Sequence, residues 1–420
     1  MNDEGRKKKS PRRFGFLFHD SIFILLTLLW LSFSCAGLAA PKKFAGATPL
    51  EWSVRLANSQ IARQTNSAKW DYTVGLFTLS LLKLNEQTND PRFVKFSEDK
   101  VGSLISADGS IQGYKLEEFQ LDALNPGKTA LALWLTITNP DNPKLFFACT
   151  KLMEQLQAQP RTPDGGFWHK QRYTNQMWLD GIYMGAPFYA AMARYMHRPQ
   201  PVYDDVAKQL RLIDEHTYDA KTGLNYHGWD AAKIQPWANP ATGCSSNFWG
   251  RAEGWYAMAL VDVLDYFPTN HPARLQIIAM LQKLSAGVLK FQDPKTGLWW
   301  QVLDQGDRKG NYLEATASAM FVYALAKGVN HGYLSREYIP AIEKGYAGII
   351  QNLIQSDGEN RWSLTQCCSV AGLGGSPSSG KMRDGSFAYY CGEPVVKNDL
   401  KGIGPFILAG IEMQQLAKIQ

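Results

Sequence analysis

Residues 165–190, GGFWHKQRYTNQMWLDGIYMGAPFYA, put one acid in an unusual place. If the segment after Tyr173 is helical, Asp180 shares a face with Tyr183, Met184 and Pro187, because positions three, four and seven apart stack on one side. A carboxyl group on such a stripe loses water, which favours its protonated form and suits it to general-acid work near neutral pH. The plainer reading pairs Asp180 with a buried arginine or uses it to cap a neighbouring helix. A second acid, Asp122, precedes LDALNPGK's Asn125-Pro126, where Asn125 is the expected N-cap and Pro126 the first helical position. Asp122 is not needed for that cap, so it is either a partner acid at the same place or a loop Asp bonding local amides. In NFWGRAEGWYAMAL, with Asn247 as the expected cap, Arg251, Trp255 and Met258 fall on one helical face, and no acid stands four residues from Arg251. Its partner is a ligand carboxylate, which a guanidinium fork matches in two bonds, or a distant acid, or Glu253. His227 and Trp229 in YHGWD add an imidazole and an aromatic ring.

These groups need elements to hold them, and the pattern is helical. TVGLFTLSLLKL, KTALALWLTIT, RAEGWYAMALVDVLDYF, EATASAMFVYALAKGV and AIEKGYAGIIQNLI repeat apolar residues at three-to-four spacing, and strand alternation is scarce. Between them a Gly turn followed by aromatics recurs, with glycines at 109, 165, 223, 297 and 358. The intervals of 56, 58, 74 and 61 residues each suffice for two helices and a loop, the mark of a helix-pair repeat. With KWDYTVGL opening an earlier unit, six pairs fit between about residues 50 and 420. Six hairpins closing on themselves give an all-α (α/α)6 barrel with the Gly-aromatic loops gathered at one mouth. The other arrangement is an open helical solenoid. Trp168, Trp178, Trp229, Trp249, Trp255, Trp299 and Trp300 cluster near those loops, where exposed ring faces would stack on sugars and buried ones would pack the core.

The chain of 420 residues, 45% hydrophobic, can bury a large core, and no linker divides residues 41–420, which are read as a single domain. Gly372–Gly380 is a small-residue loop. Of the net charge of +6, half comes from the first 40 residues, where six Lys/Arg outnumber three Asp/Glu. The body is only mildly basic, with no cationic stripe for nucleic acid. Residues 1–40 read as an export signal: a basic start, the apolar run SIFILLTLLWLSF, then SCAGLAAP. The mature chain is expected outside the cytoplasm, periplasmic or secreted, without stable membrane contact. An uncleaved anchor and lipidation at Cys35 are the alternatives. Cys149 in LFFACTKLM reads as core, and Cys367, Cys368 and Cys391 could include a disulfide, with the pair not readable. No Cys/His spacing suits a metal, and no cofactor is expected.

In WDYTVGL, LDALNPGK, GGFWHKQRYTNQMWLDGIYMGAPF, YHGWD, FWGRAEGWYAMALVDVLDYFP, YLEATASAMFVYAL and YYCGEPVVKNDLKGIGPFILAGIEM, the chain resembles the unsaturated rhamnogalacturonyl hydrolases, glycoside hydrolase family 105. The likeness runs from about Trp70 to the C-terminus. It implies an (α/α)6 barrel that removes a 4,5-unsaturated galacturonyl residue from the non-reducing end of pectin-derived oligosaccharides, without metal or organic cofactor. The resemblance makes Asp180 the general acid/base and Asp122 its partner. It places Tyr72, His169, Lys170, Trp178, His227, Arg251 and Trp255 at substrate-contacting positions. The implied chemistry is hydration of a vinyl ether: Asp180 protonates C4, water adds at C5, and the hemiketal opens and expels the aglycone.

Two positions depart from the family pattern. Val74-Gly75 stands where Asn-Gly is common, and Arg251-Ala252-Glu253-Gly254-Trp255 where Arg-Gly-Asn-Gly-Trp is common, which places an acid near the expected carboxylate-binding Arg. Both bear on the aglycone, which could be an ulvan- or glycosaminoglycan-type sugar. Rival readings are a sugar epimerase using His169 and His227 as acid and base, and a sugar-binding protein without turnover.

Overall fold

The computed structural model describes residues 42–64, 66–137, 143–375 and 382–419, and the expected leader, Cys35 and residues 376–380 of the small-residue loop lie outside them. Twelve long helices alternate along the chain: α1 (Pro49–Arg63), α2 (Tyr72–Thr88), α3 (Pro91–Lys100), α4 (Asn125–Thr136), α5 (Lys144–Ala158), α6 (Leu179–Ala193), α7 (Gln200–Thr217), α8 (Gly250–Leu264), α9 (Ala273–Leu289), α10 (Ala315–Asn330), α11 (Ile339–Asn352) and, after the short α12 (Phe387–Gly392), α13 (Leu400–Ile419). The strands are two- and three-residue pieces paired antiparallel within the loops.

Packing resolves the helices into two rings. α2 packs on α4, α4 on α6, α6 on α8, α8 on α10, α10 on α13, and α13 returns to α2. The remaining six lie outside, each packed chiefly on its hairpin partner in the inner ring, with α1 completing the last hairpin on α13. This is the closed (α/α)6 toroid, not the open solenoid. Inner helices are covered on all sides: every residue of α8, and every residue of α6 except Asp180, is buried. Helices covered all round must be built from small, aromatic and aliphatic residues. Close approach also needs glycine: a Cβ at Gly75 would stand 2.6 Å from the Cα of Pro126, where α2 meets α4.

All six inner helices run the same way, so their N-termini meet at one end. The repeated glycines make the outer-to-inner connections feeding that end, and Gly109, Gly165, Gly223, Gly297 and Gly358 all have φ between 78° and 98°, a conformation open chiefly to glycine.

Several local expectations are corrected. Asn125 does not cap α4; its side chain donates to the Tyr72 carbonyl at 2.7 Å and ties α4 to α2, while Leu124 takes the cap position. Asn247 does not cap α8, which starts at Gly250; its amide donates to the Gly385 carbonyl at 2.8 Å. No disulfide forms among the described residues: Cys149, Cys244, Cys367, Cys368 and Cys391 are free thiols. Cys367 and Cys368 are neighbours in one strand and point to opposite faces, which separates their sulfurs. Cys149 is core, as read. No helix among the described residues is long and apolar enough to cross a membrane.

Candidate active site

The N-terminal mouth of the inner ring gathers the residues singled out by sequence. Asp180 sits in the first turn of α6, preceded by Trp178 in an extended conformation. Its side chain is 15% exposed, and His227 Nε2 lies 3.1 Å from its Oδ2, though not aligned as a hydrogen bond. The imidazole is placed from both ends. The His227 carbonyl accepts from the Leu179 amide at 3.0 Å, and Nδ1 shares a 2.8 Å hydrogen bond with the Tyr390 hydroxyl. A strand pairing of Gln176–Trp178 with Gly228–Asp230 locks the two segments together.

Asp122 stands in a one-turn helix just ahead of α4. Lys170 Nζ lies 2.6 Å from its Oδ2 and His169 Nε2 3.5 Å from its Oδ1. Burial pushes this carboxyl up, but Lys170 and then His169 outweigh it and hold Asp122 below the usual carboxylate value. His169 is 2% exposed, and burial takes its pKa down to about 4, against the opposing pull of Asp122 and Asp180. The imidazole therefore stands between the two acids, which share one mouth. Gly181 makes room for it: a Cβ there would lie 2.7 Å from His169 Nδ1. The His169 carbonyl accepts from the Leu121 amide, fixing the Asp122 segment to the same loop. Trp178 stacks on His169 at 4.5 Å and on Tyr173 at 4.8 Å, a three-ring wall beside the acids.

Arg251, in the first turn of α8, is 1% exposed. Its guanidinium lies 4.5 Å over the Trp249 ring and donates to the Cys368 carbonyl, while Nε has no partner. Its charged neighbours are Glu314 and Asp399, which with Cys368 hold its pKa above the ordinary value despite burial. Glu253 is not among them. That carboxyl is fully buried on the far side of α8, accepts from the Asn225 amide at 3.0 Å, and lies in the fields of Asp214 and Lys283; burial raises its pKa well above the ordinary value. The expected conflict between Glu253 and anion binding at Arg251 is absent because the two side chains leave the helix in different directions.

The other expected contact residues divide. Tyr72 starts α2 at the mouth, with burial raising its phenol and Arg251 and Asp122 among its charged neighbours. Lys170 belongs to Asp122 and also donates to Gln120 at 2.8 Å. Trp255 is buried one turn below Arg251 and stacks at 4.8 Å on Tyr183, one turn below Asp180, so this pair floors the mouth. Trp229 stacks on His216 at 3.5 Å and Trp299 packs on Phe321, both serving the scaffold.

A set of supporting residues escaped sequence reasoning. Glu314 caps α10, accepting from Ala317, and accepts the Cys368 amide on its other oxygen at 2.8 Å; Cys368 in turn receives Arg251. Gln301, fully buried, accepts from Trp249 at 3.1 Å and donates to the Tyr390 carbonyl at 2.9 Å. Asp399 and Lys401 pair at 2.8 Å beside Tyr72 and Arg251. The signal was present: Glu314 lies in YLEATASAMFVYAL, and Tyr390, Asp399 and Lys401 in YYCGEPVVKNDLKGIGPFILAGIEM. No cluster of three or more His, Cys, Asp or Glu among the described residues is arranged to hold a metal ion.

Six helix N-termini, Arg251 and Lys401 make the mouth attractive to a carboxylate. An acid touching an imidazole inside that field can give and take a proton. The recess beside Tyr72 and Asp122 is small, about 60 Å3, whereas a cavity of about 450 Å3 lies at the opposite end of the ring. The chemistry is assigned to the mouth because Asp180 and Asp122 stand there beside His227, His169 and Lys170, with Arg251 close by.

The model of Glycosyl Hydrolase Family 88 matches residues 51–417. A Clostridium acetobutylicum (C. acetobutylicum ATCC 824) glycoside hydrolase from family 105 superposes with a TM-score of 0.82 at 42% identity, over 86% of this chain and 99% of that one. Protein Atu3128 of Agrobacterium fabrum is 39% identical over 239 residues, 56% of this chain and the whole of that protein. The unsaturated rhamnogalacturonyl hydrolase YesR of Bacillus subtilis is 26% identical over 294 residues, 69% of this chain and 77% of that one.

Proposed function

From the premise that the chain belongs to the glycosyl hydrolases of families 88 and 105, we propose that it is an unsaturated uronyl hydrolase and that Asp180 is its general acid/base. One observation carries the assignment of Asp180: its carboxyl group is the one exception in an otherwise buried helix, partly open at the mouth and 3.1 Å from His227 Nε2. Asp180 gives its proton to C4 of the unsaturated ring. As C5 becomes electron-poor, the resulting carboxylate takes a proton from the water that adds there, so one group serves both half-steps. The hemiketal opens and releases the aglycone. Asp122, kept ionised by Lys170, stabilises positive charge developing on the ring. Arg251, with Lys401 and the helix termini, receives the uronate carboxylate.

For the substrate, we propose the unsaturated galacturonyl residue of rhamnogalacturonan-derived oligosaccharides. The likeness to YesR, whose name carries that activity, supports this reading. An unsaturated uronide of another polysaccharide is the alternative. The basic, apolar and small-residue order of residues 1–40 supports export.

The test is Asp180→Asn against the unsaturated disaccharide, followed by loss of the ultraviolet absorbance of the conjugated enol ether. The variant is expected to lose about 10²–10⁴-fold in kcat while still binding substrate. Wild-type-like turnover in Asp180→Asn sinks the assignment, and dependence on His169 or His227 with Asp180 dispensable would favour epimerase-type chemistry.

A further inference from the structure

A cavity of about 450 Å3 lies at the end of the inner ring opposite the acids, and side chains from all six inner helices line it. That volume falls in the range of about 300–1,000 Å3 usual for small-molecule sites. Its inner end reaches the underside of the Tyr183–Trp255 floor, where Lys128 Nζ lies 3.4 Å over the Tyr183 ring. Lys128 is 8% exposed. It donates to the Tyr183 carbonyl at 3.0 Å, the one that Pro187 cannot reach because it has no N–H. That single bond leaves two of three ammonium donors unused, and among the described residues no carboxylate stands in ion-pair range, Asp262 acting on it from farther off. The Tyr183 hydroxyl is fully buried without a partner, and the charges it feels are Asp262 and Lys327, both in the cavity wall. Across the cavity, Lys327 bridges Asp262 and Asp265 at 2.7 and 2.6 Å, and Tyr323 donates to the same Asp262 oxygen at 2.6 Å, leaving Asp262 Oδ2 as a free acceptor.

We propose that this cavity is a second, non-catalytic carbohydrate site that takes a neutral, hydroxyl-rich ligand of one or two sugar rings. Donors, acceptors and the Tyr266 and Tyr323 rings face one space, the combination a pyranose uses through its hydroxyls and its apolar face. Neutrality follows from charge. The wall carries four Asp/Glu and four Lys/Arg side chains beside His331, and the inner helices end here, presenting carbonyl oxygens that disfavour an anion. The cavity wall contains none of Asp180, Asp122, His169, His227 and Arg251, and the proposal does not depend on the catalytic reading.

Lys128 also supplies the probe. Burial lowers its pKa to about 7, so its neutral, reactive form is abundant near pH 7.5, unlike a surface lysine. The full chain carrying Asp180→Asn is labelled with an acetylating N-hydroxysuccinimide ester, and modification of Lys128 is timed by peptide mass spectrometry. Methyl β-galactoside and methyl α-rhamnoside are expected to slow labelling roughly tenfold once each exceeds its dissociation constant by about that factor. Methyl β-glucuronide is expected to protect less, and Ala132→Trp, which fills the cavity, to remove protection by the neutral glycosides. Failure of Lys128 to label, labelling indifferent to every glycoside, stronger protection by the glucuronide, or protection that survives Ala132→Trp would each overturn the proposal. The wild-type timing decides the question even if Ala132→Trp does not fold.

Discussion

At the scale of single residues, two buried ionisable groups make opposite predictions with pH. His169 has its pKa taken down to about 4 from an ordinary 6.5, so the folded protein keeps it neutral while the unfolded chain protonates it. Its contribution to stability is complete above pH 6.5 and is lost as pH falls toward 4, at up to about 1.4 kcal/mol per pH unit. Urea unfolding across that window should show the slope in the wild type and a flatter one in His169→Gln. Loss at lower pH belongs to Asp122, whose depressed carboxyl titrates below the ordinary aspartate value. Glu253 runs the other way. Its raised pKa means stability present below its ordinary value of 4.5 and lost as pH rises through it, so Glu253→Gln should be neutral or about 1 kcal/mol more stable at pH 7. Its KM should match the wild type, since the carboxyl lies under Asn225 and not at the mouth; a raised KM would return Glu253 to the substrate.

At the scale of elements, glycine sets how closely the helices and loops meet. The turn carrying Gly223 lies on α9 so tightly that a Cβ at Gly287 would come 2.0 Å from the Gly223 carbonyl oxygen. That oxygen is backbone and cannot swing aside, so Gly287→Ala should cost about 1–3 kcal/mol by thermal or urea unfolding. An unchanged midpoint would mean that the loop yields freely. Lys128 and Pro187 illustrate a different coupling, in which a proline inside α6 leaves a carbonyl that a lysine on α4 satisfies. Neither residue makes sense within its own helix.

At the scale of the whole molecule, closure is the property that matters. α1 and α13 come from the two ends of the described chain and complete one hairpin, with a Cβ at Gly410 placed 2.0 Å from the Ser53 hydroxyl. A ring closed this way exposes no terminal repeat that can fray alone. Unfolding followed by tryptophan fluorescence and by far-ultraviolet circular dichroism should therefore give coincident urea transitions, whereas an open repeat array would lose end units first. Removal of α13 would open the ring between α10 and α2 and unseat α1, and is expected to leave no folded chain.

The sequence alone was enough for the helical class, the six-fold repeat and the identity of Asp180 as the odd acid on an apolar helix, because those follow from local periodicity. The glycine spacing was equally legible, since a left-handed turn is a local demand that five positions share. Caps at Asn125 and Asn247 were misread because each side chain finds a better partner across the fold than on its own helix. The direction of Glu253, the pairing of Lys170 with Asp122 and the buttressing of His227 by Tyr390 could be decided only by tertiary structure. Each is a contact between segments far apart in the chain, and helical periodicity says which way a side chain faces but not what the neighbouring helix brings to meet it.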